Sequence, residues 1–146
     1  IYPDRRFATY TSGGKALGMH CCSAGKIILS TFSDDMVKKI ADKGLTSSTP
    51  NTITTYKALK KELDTIRSKG FSVDNEEETL GVRCASVAIY GSENKAVGAI
   101  SISGSVRSIT DKKIMQALPL MEKAAQSLSR MAYTFPAVYP DEINKY

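Results

Sequence analysis

Cys84-Ala85-Ser86-Val87-Ala88-Ile89-Tyr90 and Ala96-Val97-Gly98-Ala99-Ile100-Ser101-Ile102-Ser103 are two apolar runs joined by Gly91-Ser92-Glu93-Asn94-Lys95. Their residues are small or β-branched and the join is polar and glycine-bounded, which predicts an antiparallel hairpin. Side chains alternate along a strand. Val82, Cys84 and Ser86 therefore share one face of the first strand, and Ala99, Ser101 and Ser103 one face of the second. If the two faces coincide, a thiol and several hydroxyls line one small patch. Singly, each such residue is as well explained by a tight sheet-on-helix contact, because a buried cysteine behaves as a small hydrophobe. Together they point to a polar site on a sheet.

Just upstream, Phe71-Ser72-Val73-Asp74 alternates and predicts a short strand that delivers Asp74 against the sheet. Glu76, Glu77 and Glu78 follow and read as solvated loop charges. Further back, Cys21-Cys22-Ser23-Ala24-Gly25-Lys26-Ile27-Ile28-Leu29 reads as a helix start with Ser23 or Cys22 near the N-cap. Free amides and the positive end of a helix dipole make a first turn attractive to anions. Ala24 and Gly25 leave room there, or they are small because a neighbouring strand packs against them. His20 is the only imidazole, and it reads either as a base or as a hydrogen-bonded core residue.

The other elements carry clear boundaries. Ser33 with Asp34 and Asp35 caps a helix whose apolar positions Met36, Val37, Ile40 and Ala41 run to Gly44. The threonine-rich stretch 45–55 is a loop, and a helix from about Thr55 to Lys69 places Leu59, Leu63 and Ile66 on one stripe before Gly70. Its lysines and acids read as a solvated face. Ser108-Ile109-Thr110-Asp111 caps a C-terminal helix with Ile114, Met115, Leu118, Met121, Ala124, Ala125 and Leu128 on its apolar side, and Pro119 should kink or break it. Near the start, Arg5 to Tyr10 reads as a strand, Thr11 to Gly14 as a turn, and Ala16 to His20 as an extended approach to the helix.

A chain of 146 residues, 42% hydrophobic and 24% charged, fits one soluble domain with one core. No apolar run approaches the roughly 20 residues that span a bilayer. The chain opens on Ile1 without a signal-peptide pattern, so it is expected to be part of a longer protein. The net charge of +5 is spread over mixed faces, and no stretch combines clustered basic residues with aromatic partners, so this chain is not expected to bind nucleic acid itself. Three cysteines at these spacings make no disulfide framework, which predicts reduced thiols and a cytoplasmic setting. One His without a Cys-x-x-Cys pair is too few ligands for a structural zinc. No metal or cofactor is expected.

With those residues in hand, the chain resembles the effector-binding domain of IclR-type bacterial transcription regulators. Four stretches carry the likeness in order. They are His20 through Ser23-Ala24-Gly25-Lys26; Ile66-Arg67-Ser68-Lys69-Gly70-Phe71-Ser72-Val73-Asp74 into Asn75-Glu76-Glu77; Gly81-Val82-Arg83-Cys84; and Ile100-Ser101-Ile102-Ser103-Gly104. The resemblance implies an α+β fold similar to GAF and PAS sensor domains, an antiparallel sheet flanked by helices with a small-molecule pocket on one face. Its most N-terminal strands are expected to lie upstream. Residues 1–133 would form the effector-binding domain and 134–146 a C-terminal tail. In the family a winged helix-turn-helix that precedes this domain binds DNA.

The resemblance also implies a site. Ser23 and Ala24 stand where backbone amides take an anionic ligand group; Asp74, Cys84, Ser101 and Ser103 stand at positions that contact small-acid ligands, with Val82 as an apolar wall. Ser101 and Ser103 can donate to a carboxylate, and Asp74 can accept from a ligand hydroxyl. Arg83 alternates to the opposite face from Cys84. The implied partners are a small organic acid effector and other copies of the chain, as homodimer or homotetramer. Two other readings stay open from the residues alone. One is thiol chemistry by Cys21, Cys22 or Cys84 with His20 as base, since a cysteine at a helix start can have a lowered pKa. The other is an assembly module without a ligand, built on the apolar C-terminal helix.

Overall fold

The computed structural model describes residues 18–132. Within them β1 (Ser72–Asn75), β2 (Val82–Tyr90) and β3 (Ala96–Ser105) form one antiparallel sheet in that order. The hairpin pairs Cys84 with Ser103, Ser86 with Ser101 and Ala88 with Ala99. The two polar faces therefore coincide. Both strands run slightly longer than their apolar cores, and the join contains a single 3-10 turn, Ser92–Asn94, with Glu93 and Asn94 at φ of 58° and 55°. β1 begins one residue later than its alternation suggested.

Among the described residues four helices flank the sheet: α1 (Ser23–Leu29), α2 (Asp34–Asp42), α3 (Tyr56–Lys69) and α4 (Asp111–Ala132). All four start the same way, with a side-chain acceptor taking a first-turn amide: Cys22 Sγ from Gly25, Ser33 Oγ from Met36, Thr55 Oγ1 from Ala58 and Thr110 Oγ1 from Lys113. Such a hydroxyl cap contributes about 1 kcal/mol. α3 ends on Gly70, whose φ of 79° closes the last turn in a conformation that a Cβ disfavours.

Strand alternation divides the core into two layers. On one face Ala88 and Ala96 pack with Ile27, Leu29, Phe32, Val37, Leu59, Leu63 and Ile66 of the first three helices and the turn after α1. On the other, Ala85 and Val87 pack with Ile109 and with Ile114, Leu118, Met121 and Ala125 of α4. Each large aliphatic buried in this way contributes roughly 1.5–3 kcal/mol.

Three expectations change. Gly18 to Cys22 is a turn closed by Cys21 N–H on Gly18 C=O, not an extended approach. α4 is continuous across Pro119. Proline there removes the amide that would bond Met115 C=O, but both residues lie on the exposed side, so the freed carbonyl is not sealed in the core. Met115, Ala124 and Leu128 are exposed and do not join the buried stripe. The strand over Arg5 to Tyr10, the turn after it and the tail 134–146 lie outside the described residues. Among the described residues no helix is long and apolar enough to cross a membrane.

Candidate functional site

Two rows of side chains cross the face of the sheet that looks toward α1. Register aligns Asp74, Cys84 and Ser103 in one and Ser72, Ser86 and Ser101 in the next. The rows grade outward: Ser72, Asp74 and Ser86 are buried, Cys84 and Val82 half-buried, Ser101 and Ser103 exposed. Cys84 Sγ lies 3.0 Å from Ser103 Oγ, and Ser86 Oγ 2.7 Å from Ser101 Oγ. Five of the seven expected residues, Asp74, Val82, Cys84, Ser101 and Ser103, thus share one face.

α1 is pinned over the second row. Ser86 Oγ donates to Ser23 Oγ at 2.7 Å, and Ser72 Oγ donates to Ser23 C=O at 2.7 Å. Ser23 is therefore a buried joint between helix and sheet, while Ala24 beside it is half-buried. Gly25 is small for a different reason from either one expected. A Cβ there would stand 2.4 Å from Met19 Cα and 2.4 Å from Met19 O, so the backbone of the preceding turn occupies the space.

The acidic cluster is not a solvated loop throughout. Lys26 Nζ, fully buried, bonds Glu77 Oε1 at 2.5 Å and Glu62 Oε1 at 3.1 Å. Glu77 is buried too, because Thr49 and Thr52 hydroxyls take the carbonyls of Glu76 and Glu77 and draw the loop inward. Among the described residues its Oε2 has no hydrogen-bond partner. Burial pushes the Glu77 carboxyl above its usual range against the pull of Lys26. The one sign of this in the sequence is that Lys26 is the only charged residue between Lys15 and Asp34.

Asp74 is 2% exposed and accepts the Glu77 amide at 2.8 Å. Burial raises its pKa, opposed by that amide and by the field of Lys26. The native fold thus disfavours the ionised form. The stability Asp74 contributes is full below about pH 4 and is lost as pH rises through its folded value. Asp74→Asn keeps the acceptor without the charge. Its melting temperature is expected to lie above the wild-type value at pH 7, with the gap closing below about pH 4; a variant less stable at pH 7 would contradict this.

The surroundings of the three thiols favour the protonated form. Burial pushes Cys21, Cys22 and Cys84 all upward, and for Cys22 it outweighs the Gly25 amide bonded to its sulfur. His20 is buried, with Nε2 on Thr46 C=O at 3.0 Å. Arg83 lies on the far face, bonding Ile109 C=O at 3.0 Å and Asp111 at 2.5 Å.

Known proteins share this fold. The chain is 38% identical over 122 residues to the transcriptional repressor IclR of Escherichia coli (strain K12), covering 83% of this chain and 44% of that protein. It therefore spans less than half the length of that relative. The Thermotoga maritima IclR structure superposes with a TM-score of 0.76 at 31% identity, over 85% of this chain and 53% of that one. The inducer-binding domain of the PobR transcription factor from Acinetobacter, a double mutant in complex with 3-hydroxybenzoic acid, gives a TM-score of 0.72 at 27% identity, over 77% and 66%. These relatives are transcription regulators, not enzymes. The family profile described as bacterial transcriptional regulator IclR C-terminal matches residues 1–130, and the chain belongs to that family.

Proposed function

We propose that this chain is the effector-sensing domain of a cytoplasmic transcription regulator, binding a small organic acid and passing the signal to a winged helix-turn-helix carried elsewhere in the full-length protein. The observation that carries this reading is the pair of polar rows converging from three strands beneath α1. The binding face comprises Asp74, Val82, Cys84, Ser101 and Ser103, bordered by Ser23 and Ala24 at the first turn of α1. The complex of the PobR inducer-binding domain with an aromatic hydroxy acid supports a ligand of this class. DNA is a partner only through the other domain. Further copies of this chain, as homodimer or homotetramer, are the remaining partner, and the exposed Met115, Leu120, Leu128 and Met131 of α4 support such association.

Effector binding must favour one arrangement of the full protein, since equal affinity for two states shifts neither. Thermal denaturation against 2-oxo, 2-hydroxy, sugar and aromatic acids tests the site. An acid at about 100 times its Kd adds roughly 2.7 kcal/mol, a rise of several degrees. Replacing both Ser101 and Ser103 by Ala is expected to abolish that rise. Both side chains are exposed, so the variant retains its core. Undiminished binding by the double variant would place the ligand elsewhere.

A further inference from the structure

Ser86 Oγ stands between two other hydroxyls, 2.7 Å from Ser23 Oγ on α1 and 2.7 Å from Ser101 Oγ on β3. In the first of these bonds Ser86 is the donor. A serine hydroxyl has one proton and two lone pairs, so the proton of the second bond belongs to Ser101. Ser23, Ser72 and Ser86 are all buried, and Ser72 Oγ ties the same joint through Ser23 C=O. A bond broken here leaves a polar atom unanswered away from water.

Ser101 is the exposed end of this chain of bonds and lies two hydrogen bonds from the first turn of α1. Its proton is turned inward to Ser86, which leaves its lone pairs for whatever sits on the face. Ser103, the other exposed hydroxyl, is placed differently. Its partner 3.0 Å away is the Cys84 thiol, which can supply the proton of that bond and leave the Ser103 proton free. Two serines of the same strand thus face the site with opposite polarity, Ser101 as an acceptor and Ser103 able to donate.

We propose that Ser86 makes the site selective for an organic acid bearing a hydroxyl on the carbon next to its carboxylate, over the 2-oxo acid of the same skeleton. The ligand hydroxyl donates to Ser101 while every bond of the joint stays made. A keto oxygen brings only lone pairs, and it takes the Ser101 proton at the expense of the bond to Ser86. The carboxylate keeps the partners given above, Ser103 and the first turn of α1. Ser86 is buried and acts through Ser101, so it is a positioning residue. This inference rests on the sensing reading and adds which acids the site prefers.

The test is calorimetric titration of the folded chain with lactate against pyruvate and with 2-hydroxybutyrate against 2-oxobutyrate, each hydroxy acid as both enantiomers. The better enantiomer is expected to bind at least about fivefold more tightly than its oxo counterpart, the worth of one hydrogen bond. Ser101→Ala removes the acceptor and should bring that ratio to about one. Ser86→Ala frees the Ser101 proton for the ligand and should move the ratio toward the oxo acid. A purely structural role for Ser86 would instead lower both affinities together and leave the ratio where it was, which would overturn the positioning role. Equal or tighter binding of the oxo acids by the wild type overturns the proposal and leaves the sensing reading intact. Failure of every acid to bind overturns both. Ser101 is exposed, so the wild type and Ser101→Ala decide the matter even where Ser86→Ala does not fold.

Discussion

Lys26→Met is expected to destabilise the domain by about 3–5 kcal/mol, a fall in melting temperature of roughly 10–20 °C. The ammonium is fully buried and joins α1 to α3 and to the loop after β1 through Glu62 and Glu77. Methionine fills the volume of the stem, so the loss is electrostatic rather than a cavity. It leaves Glu77 buried with neither oxygen answered by a cation among the described residues, where Oε2 already has no hydrogen-bond partner. Removing one member of a buried pair costs more than the pair contributes. Combining Lys26→Met with Glu77→Gln should therefore recover a large part of the loss. The single variant should also recover as acid protonates Glu77. Denaturant unfolding of the two variants decides the matter: a loss below about 1 kcal/mol for Lys26→Met would show that the ion pair does not hold these elements together.

The second large effect is expected at Gly25. Alanine is the better helix former by about 1 kcal/mol, so a free helix would gain from Gly25→Ala. Here the added methyl would stand 2.4 Å from two backbone atoms of Met19, and backbone does not swing aside as a flexible side-chain end does. Overpacking of this kind costs about 1–3 kcal/mol and outweighs the propensity gain. The turn from Gly18 to Cys22 must move, or α1 must lift. Lifting α1 breaks the Ser86–Ser23 bond that fixes it over the sheet. A melting temperature below wild type and weaker acid binding should appear together. A more stable variant would mean that the turn does not pack against α1.

These two residues mark where the sequence stops being informative. The hairpin register was legible because strand alternation has a period of two, and a slip of one residue would have turned Cys84, Ser86, Ser101 and Ser103 away from α1. The cap at Ser33, the start of α3 near Thr55 and the stops at Gly44 and Gly70 are legible because each is a local transaction between neighbours. Lys26 and Glu77 lie 51 residues apart, and a contact over that distance leaves no periodic trace. The rule that acids in a loop are solvated fails at Glu77, because Thr49 and Thr52 pull this loop inward. The rule for proline fails at Pro119, because it assumes that the freed carbonyl is buried, whereas this side of the helix is exposed.

Cys84 and Arg83 are adjacent in the chain and face opposite ways, one into the polar rows and the other onto the start of α4 through Ile109 and Asp111. One strand thickness is all that separates them. A twist of β2 about its own axis carries the two side chains in opposite senses, and the guanidinium grips the near end of a helix 22 residues long. At 1.5 Å per residue that helix measures about 33 Å. Its far end is tied to the same strand, since Tyr90 N–H donates to Ser129 Oγ at 2.9 Å, so β2 clasps α4 at both ends.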